Sequence, residues 1–257
     1  MFTLIIGGVV LVASMFTLIR FTAERCDDTW RYGPEIIAGQ VDTVQLPVFD
    51  VLDINYGYNA GEGEDMSVYV RNGMHVRILA DSTASNPYVL VPETFYDVDM
   101  DDSDGVLHMR FIFSKRYCEF NDSVSSPITI AVPVSMAKDL SRVKCGDDVT
   151  THLMVEYLNG KNIDFLLCDN VYLYLNHCRF DSVGVKGNEY INVYGTKIGC
   201  MSVTGKDDCK IIHTDGTDVG ETYLAGENTD FRLVGVGNYE ARPNPGSEIT
   251  VTKVYKD

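Results

Sequence analysis

The densest run of metal-binding chemistry in the chain is Asp97-Val98-Asp99-Met100-Asp101-Asp102-Ser103-Asp104-Gly105. Oxygen-rich loops suit calcium, but an EF-hand register starting at Asp99 puts the required glycine one position late and Arg110 at the closing acidic position. As a strand that runs into an Asp-Gly turn, the same residues need no ion. His177-Cys178 and the pair Cys209 and His213 are of the types that hold soft metals. Cys209, however, falls in an apolar column of a repeat described below, which makes it core. The glycine-rich stretch from Gly57 to Gly63 contains no GxGxxG, and no helix follows to offer its N-terminus to a phosphate. No GxSxG and no P-loop occurs. Carbohydrate-cleaving chemistry needs grouped carboxylates, and the positions expected to face outward (Asn192, Tyr194, Ser202, Lys210) give no repeated acidic pair. No catalytic, cofactor-binding or metal-binding residue is therefore assigned. Tyrosine is frequent, with Tyr56-Gly57-Tyr58 and Tyr172-Leu173-Tyr174 the clearest groups. Outward tyrosines on a β-wall stack on sugars or meet protein partners, although strand propensity alone also produces the pattern.

The elements that would carry these residues read as short strands. Val48 to Ile54 and Met66 to Val70 alternate, and His75 to Leu79 follows the turn pair Asn72-Gly73. Asn-Gly between two such runs predicts a hairpin. Asp104-Gly105, between Phe95-to-Met100 and Val106-to-Phe113, predicts a second one. No segment after residue 25 shows a long helical period, so the class is all-β.

The second half repeats. With Asp169, Gly187, Gly205 and Gly226 as anchors, Leu167, Val185, Val203 and Leu224 lie two residues before, and Phe165, Val183, Met201 and Thr222 four before. Leu173, Ile191 and Cys209 lie four after the first three anchors, and Leu175, Val193 and Ile211 six after; the fourth copy slips by one and gives Phe231 and Leu233. Phe180, Ile198 and Val219 lie seven before the last three anchors. Two-residue steps separated by turns describe successive walls of a coil, in which stacked rungs share one core. The expected fold is a right-handed β-helix or solenoid of stacked rungs, clearest over 160–235, with an antiparallel sandwich as the alternative. A final strand is expected from Glu248 to Val254, after the turn Pro243-Asn244-Pro245-Gly246.

The chain of 257 residues carries a net charge of −16, with Lys+Arg 21 against Asp+Glu 37. Such a surface repels phosphate backbones and anionic headgroups, which excludes nucleic acid as the expected partner and requires that any membrane contact be apolar. Phe2 to Ile19 holds no charged residue and predicts a transmembrane helix, with a cleaved signal peptide as the alternative. The expected division is an anchor at 1–20, a linker at 21–45 and an ectodomain at 46–257. Seven cysteines without a CxxC pair read as buried small hydrophobes, with a disulfide or two as the alternative if the domain is outside the cytoplasm.

The strand Leu46-Pro47-Val48-Phe49-Asp50-Val51-Leu52-Asp53-Ile54, the turn and strand Asp104-Gly105-Val106-Leu107-His108-Met109, the segment Ile128-Thr129-Ile130-Ala131-Val132-Pro133 and the Val-x-Val-x-Gly rungs resemble the auto-transporter adhesin head domain, the GIN domain of Bacteroidetes envelope proteins. The resemblance covers 46–254 and implies an extracytoplasmic β-solenoid without catalytic residues. It also implies that the ectodomain is periplasmic or extracellular, against the charge rule for Arg20 and Arg25. The function expected is a non-enzymatic, membrane-anchored envelope protein, an adhesin-like binding or structural module for a protein or glycan ligand. A β-helix enzyme acting on a glycan and an envelope sensor acting through a membrane partner are the alternatives.

Overall fold

A strand buries its alternate side chains only where another layer covers them, and this chain supplies that cover by returning on itself. The computed structural model describes residues 35–38, 41–58, 68–103, 105–115, 117–146, 149–187 and 190–254. Most strands fall into two parallel ladders. The first runs β8 (Val106–Phe113), β3 (Val51–Tyr58), β11 (Arg142–Cys145), β13 (Asn159–Leu167), β15 (Arg179–Lys186), then the leading halves of β17 (Lys197–His213) and β18 (Asp218–Val234), and β19 (Tyr239–Ala241). The second runs β10 (Ile128–Pro133), β5 (Met74–Asp81), β12 (Thr151–Glu156), β14 (Val171–Asn176), β16 (Tyr190–Tyr194), the trailing halves of β17 and β18, and β20 (Ile249–Val254). Among the described residues every pairing between strands after residue 141 is parallel, which disfavours the antiparallel sandwich.

Antiparallel strands finish the N-terminal side: β7 (Phe95–Ser103) on β8, β6 (Tyr88–Pro92) on β10, and β2 (Val41–Gln45) on β6. The acidic run lies on β7, whose Asp97, Asp99, Asp101 and Asp102 are exposed and whose only partner among the described strands is β8. Repelling carboxylates along an open edge keep it from recruiting another strand. A small parallel sheet of β1 (Glu35–Ile36), β9 (Tyr117–Glu119) and β4 (Tyr69–Arg71) stands apart, and α1 (Val134–Ala137) is a single turn.

The expected all-β class holds, and three details differ from the sequence reading. First, Asn72-Gly73 makes its turn, with positive φ at both residues and the Gly73 N–H donating to the Val70 carbonyl, but β4 pairs with β9 while β5 joins the second ladder. The turn is a corner between sheets, because β5 is buried on alternate positions by rungs distant in sequence. Second, part of the 21–45 linker is strand: β1 and β2 pair within sheets, and Ile37 is buried. Third, the repeat register shifts by two residues in places. Phe165, not Leu167, pairs with Val185, and Ile191 pairs with Ile211, not Cys209. An even slip leaves every side chain on its face, so the expected core residues remain inside. The anchor expected at 2–19 lies outside the described residues, among which no helix is long and apolar enough to cross a membrane.

The core is two sets of register columns. Leu107, Leu52, Val143, Phe165, Val185, Val203 and Leu224 stack in the first ladder, and Ile128, Val76, Leu153, Leu173, Ile191, Ile211 and Leu233 in the second; all are buried. Gly187 ends one such rung at φ +78, and a Cβ there would collide with the Leu167 carbonyl, so glycine is a steric requirement of the corner.

One charged column crosses the first ladder's outer face. Asp53, nearly buried, accepts from Lys144 Nζ at 2.7 Å and Asn55 Nδ2 at 3.2 Å and lies 3.2 Å from His108 Nδ1. His108 and Lys144 occupy the adjoining rungs in direct register with it. Asp53→Ala is expected to lower stability by about 1–2 kcal/mol, the loss of several charge-assisted hydrogen bonds around an already desolvated group. A urea unfolding midpoint unchanged from wild type would refute this.

Candidate functional site

Period-two alternation that sends Leu153, Leu173 and Ile191 inward sends their neighbours outward, and on the second ladder those neighbours are rings. His75, His152, Tyr172, Tyr190, Lys210 and Arg232 are successive register partners down one outward column. Phe120, just past β9, lies flat on His75 with centroids 3.9 Å apart and planes at 8°. His75 and His152 are 4.7 Å apart, and His152 stacks on Tyr172 at 5.1 Å and 15°. Tyr172 and Tyr190 tilt by 59° at 5.7 Å, and Lys210 Nζ lies 5.7 Å from the Tyr190 centroid. One column over, Tyr174 packs 5.8 Å from Tyr190, with its hydroxyl 3.3 Å from His152 Nδ1. The side-chain oxygen of Asn192, in register with Tyr174, is buried without a partner among the described residues.

Burial holds the pKa of His75 below the ordinary imidazole value, and the His152 charge lowers it further, while Asp122 acts the other way. Burial lowers His152 too, against Asp122. Burial raises Tyr174, helped by Tyr190 and Tyr172. Burial thus disfavours charge on His75, His152 and Tyr174 alike. Ring faces are largely consumed by neighbouring rings, so hydroxyls, imidazole nitrogens and ring edges are what the wall presents. Such groups can take up hydrogen bonds and apolar contacts; the one hydroxyl set beside an imidazole here, Tyr174 at 3.3 Å from His152 Nδ1, has its pKa raised by burial, which disfavours its ionised form.

The other residues singled out from sequence separate. Tyr56 turns inward, packs within 6.3 Å of Phe111 and 6.2 Å of Phe113, and sets its hydroxyl 3.2 Å from Thr151 Oγ1. Gly57 lies under the Arg110 guanidinium, and residues 59–63 of the glycine-rich stretch are outside the described residues. His177 sits on an exposed corner at φ 54, stacked on Tyr157 at 5.4 Å. Its neighbour Cys178 points into the core, donating to the Val155 and Asn176 carbonyls, and burial pushes its thiol up to about 12. Cys209 and His213 are both buried in β17. No group of three metal-ligating side chains forms among the described residues. Sequence reasoning missed His75, His152 and Phe120 because they reach the tyrosines from segments far apart in the chain. The outward Tyr-x-Tyr pattern at 172–174 was the one local signal.

None of the six described cysteines is in a disulfide; Cys118, Cys145, Cys178 and Cys209 are buried, Cys200 is half-buried and Cys168 is exposed. Thiol alkylation at mild alkaline pH, mapped by peptide mass, is expected to modify Cys168 first and the four buried residues only after unfolding. Early native labelling of Cys178 would overturn its placement.

No family model and no curated protein matches the chain. Solved structures do. A provisionally named adhesin from Bacteroides fragilis shares 10% identity over 86% of this chain and 97% of its own, with a TM-score of 0.47. One from Parabacteroides distasonis shares 12% over 87% and 98%, with a TM-score of 0.39. A provisionally named lipid-binding protein from Parabacteroides distasonis shares 10% over 87% and 97%, with a TM-score of 0.38. At such identities and scores the likeness carries no argument about what this chain binds.

Proposed function

We propose that the chain is a non-catalytic, membrane-anchored binding or structural module of the cell envelope, of the GIN adhesin-head type. Its two ladders form the walls of a right-handed β-helix, residues 1–20 tether it, and 46–257 stand outside the cytoplasm. The observation that carries the reading is the outward ring column from His75 to Tyr190 on consecutive rungs. Core columns explain inward rings, but outward rings aligned over several rungs form a continuous contact surface of the kind binding faces use.

Two measurements test it. With a C-terminal tag on the full chain, protease that removes the tag from intact cells, or only after the outer envelope is permeabilised, supports the location; protection in both cases refutes it. Retention of the purified chain on sedimented envelope fragments should fall about tenfold in Tyr172→Ala/Tyr190→Ala, given the usual worth of buried aromatic contacts. Equal retention of wild type and variant would remove the wall from the function.

A further inference from the structure

Away from the ring wall, a trough of about 400 Å³ crosses three successive rungs of the first ladder, lined by Arg179, Asp181, Lys197, Gly199, Asp218 and Gly220. Arg179, Lys197 and Asp218 are register partners down its rim. At the next-but-one position, regular pairing skips Asp181, Gly199 and Gly220. A Cβ at Gly199 would come within 2.6 Å of the Asp181 carbonyl oxygen, and one at Gly220 within 2.5 Å of the Gly199 carbonyl oxygen. The bend therefore demands glycine in two of the three strands, which leaves those two floor positions without side chains.

The rim needs a different explanation. Arg179 and Lys197 are exposed like charges on directly opposed positions, a rung spacing of ~4.8 Å apart. Opposed like charges destabilise a sheet. Neither side chain makes an ion pair or hydrogen bond with any described residue, in a chain whose net charge is −16. Two cations set side by side at one end of the rim, with Asp181 and Asp218 beside them, offer a ligand both anion-binding groups and hydrogen-bond acceptors.

We propose that this trough binds an acidic glycan, a hydroxyl-rich chain bearing carboxylate or sulfate groups, laid along the stack across the rungs. Arg179 and Lys197 take the anionic groups. The Asp181 and Asp218 carboxylates accept hydroxyl hydrogens, which a simple anion lacks. The open course over three rungs suits a linear chain. The inference extends the binding-module reading by naming a ligand class, at a surface separate from the ring wall.

The test is titration calorimetry of the full detergent-solubilised chain with oligogalacturonate and with a sulfated glycosaminoglycan fragment, beside a neutral glucan oligomer and polyglutamate. At least one acidic glycan is expected to bind, the neutral oligomer not. Arg179→Ala/Lys197→Ala should weaken binding by about tenfold or more, as loss of charge-assisted contacts does. Asp218→Ala should weaken it by a few fold, because it removes an acceptor for the ligand's hydroxyls. Tyr172→Ala/Tyr190→Ala should leave it unchanged, so failure of the ring wall and failure of the trough are read separately. No binding of either acidic glycan, binding indifferent to the Arg179/Lys197 substitutions, or equal binding of polyglutamate would overturn the proposal.

Discussion

Phe165→Ala is expected to destabilise the protein by about 3–5 kcal/mol, the largest effect of any single truncation considered, because it combines lost burial with a cavity in a shared core. Phe165 is wholly buried, with Val143 and Val185 as its register partners in the rungs before and after. Each strand of the ladder packs against its paired neighbours, so a void at Phe165 weakens the packing of the strands on either side. The urea midpoint should fall, and the transition should broaden if the two sides begin to unfold separately. The adjacent Leu166 provides the control. It faces outward, in register with Lys144 and Lys186, and Leu166→Ala should cost no more than about 1 kcal/mol. Comparable losses for both variants would mean that the face assignment is wrong.

That contrast also marks how much of the fold can be read from the residues alone. Alternation is a local property, so the inward sets Val183/Val185, Leu173/Leu175 and Val203 could be named without knowing their partners. Register is not local. The corners at Gly187 and at the Lys206-to-Asp208 bulge hold different numbers of residues, and nothing in a window of ten residues reports that difference. The same limit hid the candidate sites. His75 and His152 are 77 positions apart in the chain and become neighbours only through the pairing of β5 with β12. Arg179 and Lys197 each look like an ordinary solvated cation until β15 and β17 set them side by side. The hairpin at Asp104-Gly105 was legible because its two strands are consecutive partners, Ser103 opposite Val106. The one expected at Asn72-Gly73 failed because the turn chemistry is local while the choice of partner is not.

The largest acid-linked loss at a histidine is expected at one buried imidazole. His213 continues the inward column of Ile78, Val155, Leu175 and Val193, and its Nε2 is buried without a partner among the described residues. The hydrogen bonds described nearby run between neutral groups: Thr214 and Thr217 donate to the Val193 carbonyl, and Thr196 to the Leu175 carbonyl. Burial accordingly lowers its pKa from 6.5 to about 4. Between those values the unfolded chain binds a proton that the folded chain refuses, so stability rises with pH across that window and is lost as the pH falls through it. Above 6.5 both states are neutral at this residue and it contributes no pH dependence; below about 4 the loss is complete, at roughly 3 kcal/mol. His213→Leu, which continues the apolar column, removes this dependence. Wild type and variant should be of similar stability at pH 7.5, and the variant should gain steadily on the wild type in urea titrations at pH 6, 5 and 4. Titrating carboxylates, numerous in so acidic a chain, affect both proteins alike and cancel in the difference. A difference between the two that stays constant from pH 7.5 to 4 would show that His213 finds a partner in solution or is reached by water, and the last rungs of the second ladder would then be looser than their burial indicates.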